Sequence, residues 1–317
     1  MPLLKEVALF YEDFLKDSVD ARGKYCFRPS YSPECILDDN ATMDIAVARE
    51  VLTNLITAAK ELNVEKESIP KWQAMLEKIP PYLVNSKGEL QETSNPRHPD
   101  VPYGHRHHSL LYPVFQSHEF TPEQTPVLWK AASVSLQKKL PEYCEGSSFG
   151  RVQSGLAAAY LRMGDAAYGQ IRKMVLEGKW YTSLMTSHDP NHSLFCSDAN
   201  GGVPEVVDNM LVFSLPGQLD LLPAVPKAWP KGTIRGILAR GQITIDRLTW
   251  DSAAKKIRVE LTSKIDQDVA VRVPAAESIR VVEVSGGASA LSGDKTPDNA
   301  RQIRLHAGRK AVLDIAF

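Results

Sequence analysis

Apolar residues recur at helical spacing through the first two thirds of the chain. One stripe contains Leu4, Val7 and Tyr11, and another contains Val51 and Leu55. Residues three or four positions apart share one face of an α-helix, so each stripe predicts an amphipathic helix. About seven helices follow from this spacing: from residue 3, after residue 40, over 66–78, from residue 121, and over 148–163, 165–178 and 203–213.

Thr121-Pro122-Glu123-Gln124 has the composition of a helix start. Thr121 can cap, Pro122 suits the first helical position and Gln124 completes a capping box. Long segments rich in proline, glycine and polar residues separate the helices, at 18–41, 79–120, 140–147 and 179–202. Loops of this length are uncommon in helical domains unless they build a site.

The periodicity changes after Pro216. Short alternating segments with β-branched residues predict strands over 233–246, 257–261, 269–273, 279–284, 303–305 and 311–317, with turns at 285–287 and 292–294. The pattern indicates an antiparallel sandwich or half of one. We therefore predict two domains, a helical one over 1–215 and a β-domain with its linker over 216–317.

Paired helices joined by long loops favour a toroid of helical hairpins. A closed toroid needs about twelve helices, and an open one would expose an apolar wall. Since about seven are predicted here, the chain is expected to be part of a longer protein.

Composition and charge favour a small neutral partner. The 317 residues are 43% hydrophobic and 24% charged, with a net charge of −1. Nothing in this balance attracts nucleic acid or an anionic membrane surface. No stretch of 18 apolar residues and no secretion signal occurs in the sequence.

The cysteines are too few to form a disulfide framework. Cys26, Cys35, Cys144 and Cys196 have no C-x-x-C spacing and are predicted to be free thiols. Pairing of Cys26 with Cys35, or of Cys35 with Cys196, is the alternative in an oxidising compartment. Nucleotide-binding glycine loops, the G-x-S-x-G nucleophile motif and the H-E-x-x-H zinc motif are absent from the sequence.

Two carboxylates are candidates for acid and base chemistry. Glu34 follows a proline in a loop with Tyr25, Phe27 and Tyr31, and aromatic walls would raise its pKa and retain a proton for donation. Asp198 precedes a helix expected near residue 203, whose free amides would favour the ionised form. The alternatives are a solvated loop glutamate and a helix cap supplied by Asp198 or Asn200.

Arg106 and His107 lie in the run His105-Arg106-His107-His108. A guanidinium fork beside an imidazole suits the recognition of sugar hydroxyl groups, which need several donors and acceptors at once. The run has no patterned carboxylate or cysteine partner, so no metal site is predicted. Surface or structural histidines are the competing interpretation.

Several separated sequence motifs together resemble those of one family, glycoside hydrolase family 95 of α-L-fucosidases and related α-L-galactosidases. The family's Ser-x-Ser-Pro-Glu-Asn and Thr-Met-Asp are matched at 30–35 and 42–44, and its Leu-Pro-Pro-Tyr at 79–82. Its His-Arg-His-x-Ser-His-Leu-Tyr is matched at 105–112, with Leu110 in place of the last histidine. Its Gln-Ile-Asp-Gly-Asn-Phe-Gly corresponds to 196–202, and its Leu-Leu-Pro-Ala-Leu-Pro to 221–226.

This resemblance implies an (α/α)6 barrel, here incomplete, with β-domains before and after it, and hydrolysis that inverts the anomeric carbon. Carried over by motif, Glu34 is the general acid and Asp198 polarises an asparagine that orients the attacking water. Arg106 and His107 would bind the sugar, and Tyr31 and Asn200 are further substrate-binding candidates. No cofactor is implied.

The sequence departs from the family pattern at two places. The family's water-orienting Asn-x-Asn segment belongs upstream of residue 1, so a further N-terminal portion of the same enzyme is an expected partner. The family's Gly-Trp-Ser appears as Gly146-Ser147-Ser148. The parent protein is expected to be secreted or periplasmic, as family members usually are.

We therefore predict the C-terminal part of an exo-acting, α-L-fucosidase-like glycosidase that acts on terminal sugars of oligosaccharides. One alternative is a non-catalytic carbohydrate-binding or scaffold protein of the same fold. Another is a polysaccharide lyase, in which Tyr31 or His107, rather than Glu34, would act as the base.

Overall fold

The computed structural model describes residues 1–98, 101–142, 144–274, 280–286, 288–290 and 300–316. It divides into two compact units, Met1–Gly150 and Arg151–Phe317. The described residues contain eight α-helices: α1 (Pro2–Leu15), α2 (Thr42–Glu61), α3 (Ile69–Lys78), α4 (Tyr112–Phe115), α5 (Pro126–Lys139), α6 (Ser148–Tyr160), α7 (Gly164–Leu176) and α8 (Ser197–Leu211). The predicted order of helices followed by a sheet-rich C-terminal part is confirmed.

The first unit is organised around a core shared by α1, α2 and α3. Its buried members include Tyr11 and Leu55 of the predicted stripes, together with Leu52 and Trp72, while the predicted Val51 is only partly buried against it. The helix that the sequence did not predict, α4, has only four residues, which is too short for a periodic pattern. Two 3-10 turns, Ser109–Leu111 and Cys144–Gly146, complete the helical segments of this unit.

The predicted helix start at Thr121 is wrong. The Thr121 hydroxyl accepts from the N–H of Gln124 at 3.0 Å, but this bond closes a turn and not the first turn of a helix. Helix α5 begins at Pro126, and Thr125 is its N-cap residue. Proline is favoured in the first turn of a helix, and both Pro122 and Pro126 could take that position. The local pattern therefore could not choose between the two starts.

In the second unit, glycines allow helices to approach closely. A Cβ atom on Gly202 of α8 would lie 2.3 Å from Val152 Cγ1 of α6, and one on Gly155 of α6 would lie 3.2 Å from Val206 Cγ2. Helix α8 begins at Ser197, six residues before the predicted start, and ends at Leu211. The last predicted helical residues therefore belong to a strand.

The C-terminal part contains two sheets. The six-stranded sheet has the order β10 (Arg280–Gly286), β13 (Lys310–Ala316), β8 (Lys256–Ser263), β7 (Ile243–Asp251) and β5 (Lys231–Ile234), with β6 (Ile237–Ala239) also pairing with β7. The five-stranded sheet has the order β11 (Ala288–Ala290), β12 (Arg301–Leu305), β9 (Gln267–Arg272), β4 (Gln218–Leu221) and β3 (Val212–Leu215). Inward-facing residues of both sheets form one buried core, which includes Leu219, Leu248, Val259 and Leu313.

Each predicted segment contains a strand, but the segment 233–246 is divided among β5, β6 and β7, β7 continues to Asp251, and β11 was not predicted. Other features also differ from the prediction. The pair β3–β4 was missed, and β4 runs parallel to β9 in an otherwise antiparallel sheet. Ser285 and Gly286 belong to strand β10 and not to a turn. The rest of the predicted turns, at 287 and at 292–294, lies outside the described residues.

Three cysteines, Cys26, Cys35 and Cys196, are free thiols, as predicted. The side chain of Cys144 lies outside the described part of the chain. Within the described ranges, the helices lack the long apolar run that a bilayer crossing needs.

Candidate active site

Glu34 lies at the tip of a short β-hairpin in the first unit. Strands β1 (Ser30–Ser32) and β2 (Ile36–Asp38) are antiparallel. The N–H of Cys35 donates to the carbonyl of Ser32 over 2.9 Å and closes the turn between them. Glu34 has a φ of +55°, the left-handed conformation that three-residue hairpin loops require at one position. Its side chain is 57% exposed and open to a substrate.

Two buried serines hold this hairpin to the rest of the first unit. The Ser30 hydroxyl accepts from the N–H of Ala41 at 2.8 Å and donates to Asp44 Oδ2 at 2.5 Å. The Ser32 hydroxyl donates to Glu92, a residue that is only 4% exposed. The exposed tip is therefore held in place by buried hydrogen bonds of the two strands that carry it.

Burial dominates the chemistry of Glu92. Loss of hydration raises its pKa, because the charged carboxylate is less stable away from water. The hydrogen bond from Ser32 and the positive charge of Lys139 act in the opposite direction and are the smaller effects. Glu92 is thus a buried carboxyl group that supports the hairpin from below.

Arg106 connects Glu34 to a second carboxylate, Glu145. Its Nη2 group donates to Glu34 and its Nη1 group donates to Glu145, and both contacts are ion pairs. Glu145 lies in the 3-10 turn before α6 and has a φ of +53°. Hydrogen bonds from His105 and Arg106 lower the pKa of Glu145 and favour its charged form. One guanidinium therefore bridges carboxylates from two distant loops.

His105 and His107 stack on one another beside this bridge. Their ring centroids are 4.9 Å apart and their planes differ by 6°. His107 Nε2 lies 3.5 Å from Glu34 Oε2, and the His107 ring packs against Phe149. Partial burial lowers the pKa of His107, and the neighbouring His105 adds to this effect. A neutral imidazole at this point offers one donor and one acceptor to a sugar hydroxyl.

Lys139 of α5 holds the backbone that carries the two histidines. Its buried ammonium group donates to the carbonyl of His105 at 2.7 Å and to that of Tyr103 at 3.3 Å. The side chain is 1% exposed, so these charge-assisted bonds compensate for its burial. The position of the 103–107 segment thus depends on a residue in a neighbouring helix.

The predicted aromatic walls around Glu34 are wrong. Tyr25 and Phe27 are buried with the helices of the first unit, where Phe27 packs against Tyr11 at a centroid distance of 6.2 Å. Tyr31 lies on strand β1, close to the tip, and is 52% exposed. Glu34 is solvated and ion-paired, because aromatic residues near it in sequence pack into the helical core.

Asp198 and Asn200 belong to the second unit, where both lie inside α8. Asp198 is in the first turn of the helix, and Cys196 is the N-cap residue without a side-chain capping bond. The predicted cap by Asp198 or Asn200 is therefore wrong. Asn200 Oδ1 accepts from the N–H of Thr186 at 3.3 Å, and this bond ties α8 to the segment that precedes it. Asp198 itself is exposed.

The helix start at Ser197 has a specific cause for having been missed. Gly201, Gly202 and Pro204 resemble a loop followed by the first turn of a helix. In the structure, Pro204 lies inside α8, where it removes one backbone N–H donor without ending the helix. Packing of α8 against its neighbours outweighs the unfavourable glycines and proline.

Comparison with known protein families identifies the family of the chain. Residues 1–211 match the Glycosyl hydrolase family 95 catalytic domain, and residues 214–313 match the Glycoside hydrolase family 95, C-terminal domain. The chain belongs to glycoside hydrolase family 95. A curated relative, Alpha-L-fucosidase 2 of Arabidopsis thaliana, is 31% identical over 272 residues, which cover 78% of this chain and 31% of the relative. This family 95 chain therefore spans about a third of the length of that relative.

Solved structures provide a comparison of fold alone. A putative kojibiose phosphorylase from human microbiome superposes with a TM-score of 0.56 at 11% identity, covering 84% of this family 95 chain and 40% of the other. A GH127 beta-L-arabinofuranosidase from Geobacillus Stearothermophilus T6 gives a TM-score of only 0.26. The first of these is consistent with a helical toroid fold.

The motifs of this family 95 chain predict Glu34, Arg106 and His107 as site residues, and the structure brings these three together. Glu92, Lys139 and Glu145 were not predicted. Glu145 had one available signal, because it precedes Gly146 at the place where the chain departs from the family's Gly-Trp-Ser. The other two had none, because their roles depend on contacts with residues far away in sequence. Among the described side chains, no group of three or more His, Cys, Asp or Glu residues is suited to hold a metal ion.

Proposed function

We propose that the chain is the part of an inverting, exo-acting α-L-fucosidase-like hydrolase that carries the general acid, Glu34. The observation that carries this proposal is the exposed Glu34 carboxyl at a rigid hairpin tip, in contact with Arg106 and beside His107. A general acid must be accessible to the leaving oxygen, and sugar hydroxyl groups need donors and acceptors around it. Membership of family 95 supports this assignment.

Arg106 donates to Glu34 through Nη2. We infer that a sugar hydroxyl takes the place of this carboxylate on Nη2, so that Glu34 becomes available to carry the proton. The exchange is compatible with the geometry because Nη1 keeps its bond to Glu145. His107 then supplies a further donor or acceptor, and Tyr31 contributes an exposed ring next to the tip.

The remaining roles are proposed on the family resemblance. Asp198 would polarise an asparagine that orients water, and Asn200 would take part in substrate binding. We also propose that the helices form part of an (α/α)6 toroid, which a further N-terminal portion would complete and supply with the Asn-x-Asn segment. The family α-L-fucosidase relative supports terminal α-L-fucosides as the substrate class.

A non-catalytic carbohydrate-binding or scaffold protein is the second candidate. The observation that favours it is the replacement of the family's tryptophan by Ser147, which is 1% exposed and cannot offer an aromatic surface to a sugar. Such a protein would keep Arg106 and His107 for binding and lack turnover.

The test compares the chain with its Glu34→Gln, Asp198→Asn and Glu65→Gln variants on aryl α-L-fucoside and aryl α-L-galactoside. Glu65→Gln is the control, because it also removes a half-exposed ion pair of the first unit, that with Lys5. We expect Glu34→Gln to reduce turnover at least about a hundredfold, whereas Glu65→Gln leaves it unchanged. The anomer released first, followed by NMR, reports on inversion. Folded protein that binds L-fucose without turnover would favour the non-catalytic candidate.

A further inference from the structure

Glu145 has no role in the function proposed so far beyond its contact with Arg106. Its Oε1 atom lies 2.8 Å from His105 Nδ1, and its Oε2 atom accepts from Arg106 Nη1. The side chain is 42% exposed, so it belongs to the surface that a substrate would meet. Glu145 therefore touches both cations of the histidine and arginine run.

The contacts of His105 indicate its charge. Its Nε2 atom lies 3.2 Å from the carbonyl oxygen of Pro33, and its Nδ1 atom faces the Glu145 carboxylate. Both partner atoms are acceptors, so both hydrogen bonds form together only when His105 carries two protons. In that state the cluster holds two cations, His105 and Arg106, and, before Glu34 takes up a proton, two anions, Glu34 and Glu145.

This balance distinguishes between classes of sugar. Arg106 and a protonated His105 alone would attract the carboxylate of an acidic sugar, because guanidinium groups bind carboxylates bidentately. With Glu145 present, Arg106 Nη1 is already occupied, and the second carboxylate repels an incoming anion. Only Nη2, now on Glu34, is placed to exchange its partner for a neutral hydroxyl.

We propose that Glu145 is a specificity-determining and positioning residue that anchors Arg106 and His105 and selects neutral sugars over uronic acids. The proposal rests on the proposed function, since it assigns the substrate class of that same site. Removing the charge of Glu145 leaves Arg106 less fixed and the open side of the cluster positive. Neutral sugars then bind more weakly and acidic sugars more strongly.

The experiment measures the dissociation constants of L-fucose and D-galacturonate by calorimetry in one buffer at about pH 6. The proteins are the wild type, Glu145→Gln and the Glu65→Gln control. A second pair, Glu145→Asn and Glu145→Asp, differs in charge alone, and both side chains tolerate the left-handed backbone at this position. Thermal unfolding confirms that each variant is folded.

We expect the affinity ratio of galacturonate to fucose to rise about fivefold in Glu145→Gln, as for one uncompensated charge near the ligand. Glu145→Asn should follow it, while Glu145→Asp and Glu65→Gln should keep the wild-type ratio. A purely structural role would weaken both sugars together and leave the ratio unchanged.

The outcomes separate this inference from the proposed function. Wild-type protein that binds fucose, with an unchanged ratio in folded Glu145→Gln and Glu145→Asn, overturns the role of Glu145 and leaves the proposed function standing. Wild-type protein that neither binds fucose nor hydrolyses its aryl glycoside overturns the proposed function and this inference with it.

Discussion

The candidate site is a network of charges in which an exposed carboxylate depends on buried ones. Glu34 meets solvent at the hairpin tip, while Glu92 lies under the hairpin and Glu89 lies three residues earlier in the same segment. Glu89 and Glu92 are both almost fully buried. Their partners nevertheless give them opposite responses to pH.

The first prediction concerns Glu92→Gln. Because burial raises the pKa of Glu92 in the folded state, the native protein binds more protons than the unfolded chain above the ordinary glutamate pKa of about 4.3. The wild type should therefore lose up to about 1.4 kcal/mol of stability per pH unit as the pH rises through this window. Glu92→Gln removes this loss, so its stability relative to the wild type should increase from about pH 4 to pH 7 in urea titrations.

Glu89→Gln is the matched control with the opposite sign. Burial alone would raise the pKa of Glu89, but bonds from Lys138 and Asn85 outweigh it and lower the pKa. The stability that Glu89 contributes is present above the unfolded-state pKa and is lost as the pH falls through the folded-state pKa. Glu89→Gln should thus be destabilised at pH 7, with a deficit that shrinks toward about pH 3. Parallel pH profiles for the two variants would contradict this assignment.

A second prediction follows from the buried ammonium group of Lys139. Lys139→Met keeps the length of the side chain but removes the donor to the carbonyls of His105 and Tyr103. We expect a loss of about 1.5–3 kcal/mol in the free energy of unfolding, the usual worth of a hydrogen bond to a charged group. Lys130→Met, at an exposed position of the same helix, should change it by less than about 0.5 kcal/mol. Equal effects in the two variants would show that Lys139 does not support the loop.

At the scale of elements, the second unit depends on the close approach of α6 and α8. Gly202 faces Val152, and the distance leaves no room for a methyl group. The adjacent Gly201 has open space at the same point, with no atom within 4 Å of a built Cβ. Two neighbouring glycines in one helix therefore have different reasons for being tolerated.

The third prediction uses this contrast. Gly202→Ala should destabilise the protein by about 1–2 kcal/mol, because overpacking against the stiff Val152 side chain exceeds the gain in helix propensity. Gly201→Ala should stabilise it by about 0.5–1 kcal/mol through the helix propensity alone. Chemical denaturation of both variants provides the measurement. Recovery of stability in Gly202→Ala combined with Val152→Ala would confirm the contact, and a stabilised Gly202→Ala would refute it.

On the scale of the whole molecule, positive and negative charges nearly cancel. The chain carries 37 Lys and Arg residues against 38 Asp and Glu residues, and many of them are paired within each unit. Polyanion binding requires a surplus of cations that can displace counterions. From this balance we predict that a partner is recognised by hydrogen bonding and shape and not by net charge.

A fourth prediction is that the chain is not retained on heparin at about 0.15 M NaCl, where exposed charges are screened beyond about 8 Å. A basic protein of similar mass serves as the column control. Elution only above about 0.3 M NaCl would reveal a basic surface that the net charge conceals. It would contradict the prediction and favour an anionic partner.

Some secondary-structure elements could be predicted from the sequence and others could not. Strands β8 and β13 were predicted almost to their ends, because one face of each packs on a core and the period of two is preserved. Strand β7 was predicted only in part, since it continues to Asp251, beyond the predicted segment 233–246. The pair β3–β4 was missed, because it immediately follows a helix and its pairing with β9 joins residues about fifty positions apart. The predicted starts of α5 and α8 differ from the observed ones, at Pro126 and Ser197, because the local capping signals were ambiguous.

For the site, the motifs identified Glu34, Arg106 and His107 before any contact was known. The prediction of aromatic walls around Glu34 was wrong, since Tyr25 and Phe27 pack with α1 and leave the carboxyl in solvent. No local pattern could reveal this, because the side of a loop on which an aromatic residue packs is decided by its distant neighbours.

The sequence by itself determined the family, the succession of a helical part and a sheet-rich part, and the presence of Glu34, Arg106 and His107 in one site. These features follow from local periodicity and from motifs in a fixed order along the chain. Only the tertiary structure decided that Glu145 shares Arg106 with Glu34, that Lys139 and Glu92 support the site from beneath, and that α8 begins at Ser197. Each of these depends on the burial and charge of groups brought together from distant positions, and such energies are not encoded in any single stretch of residues.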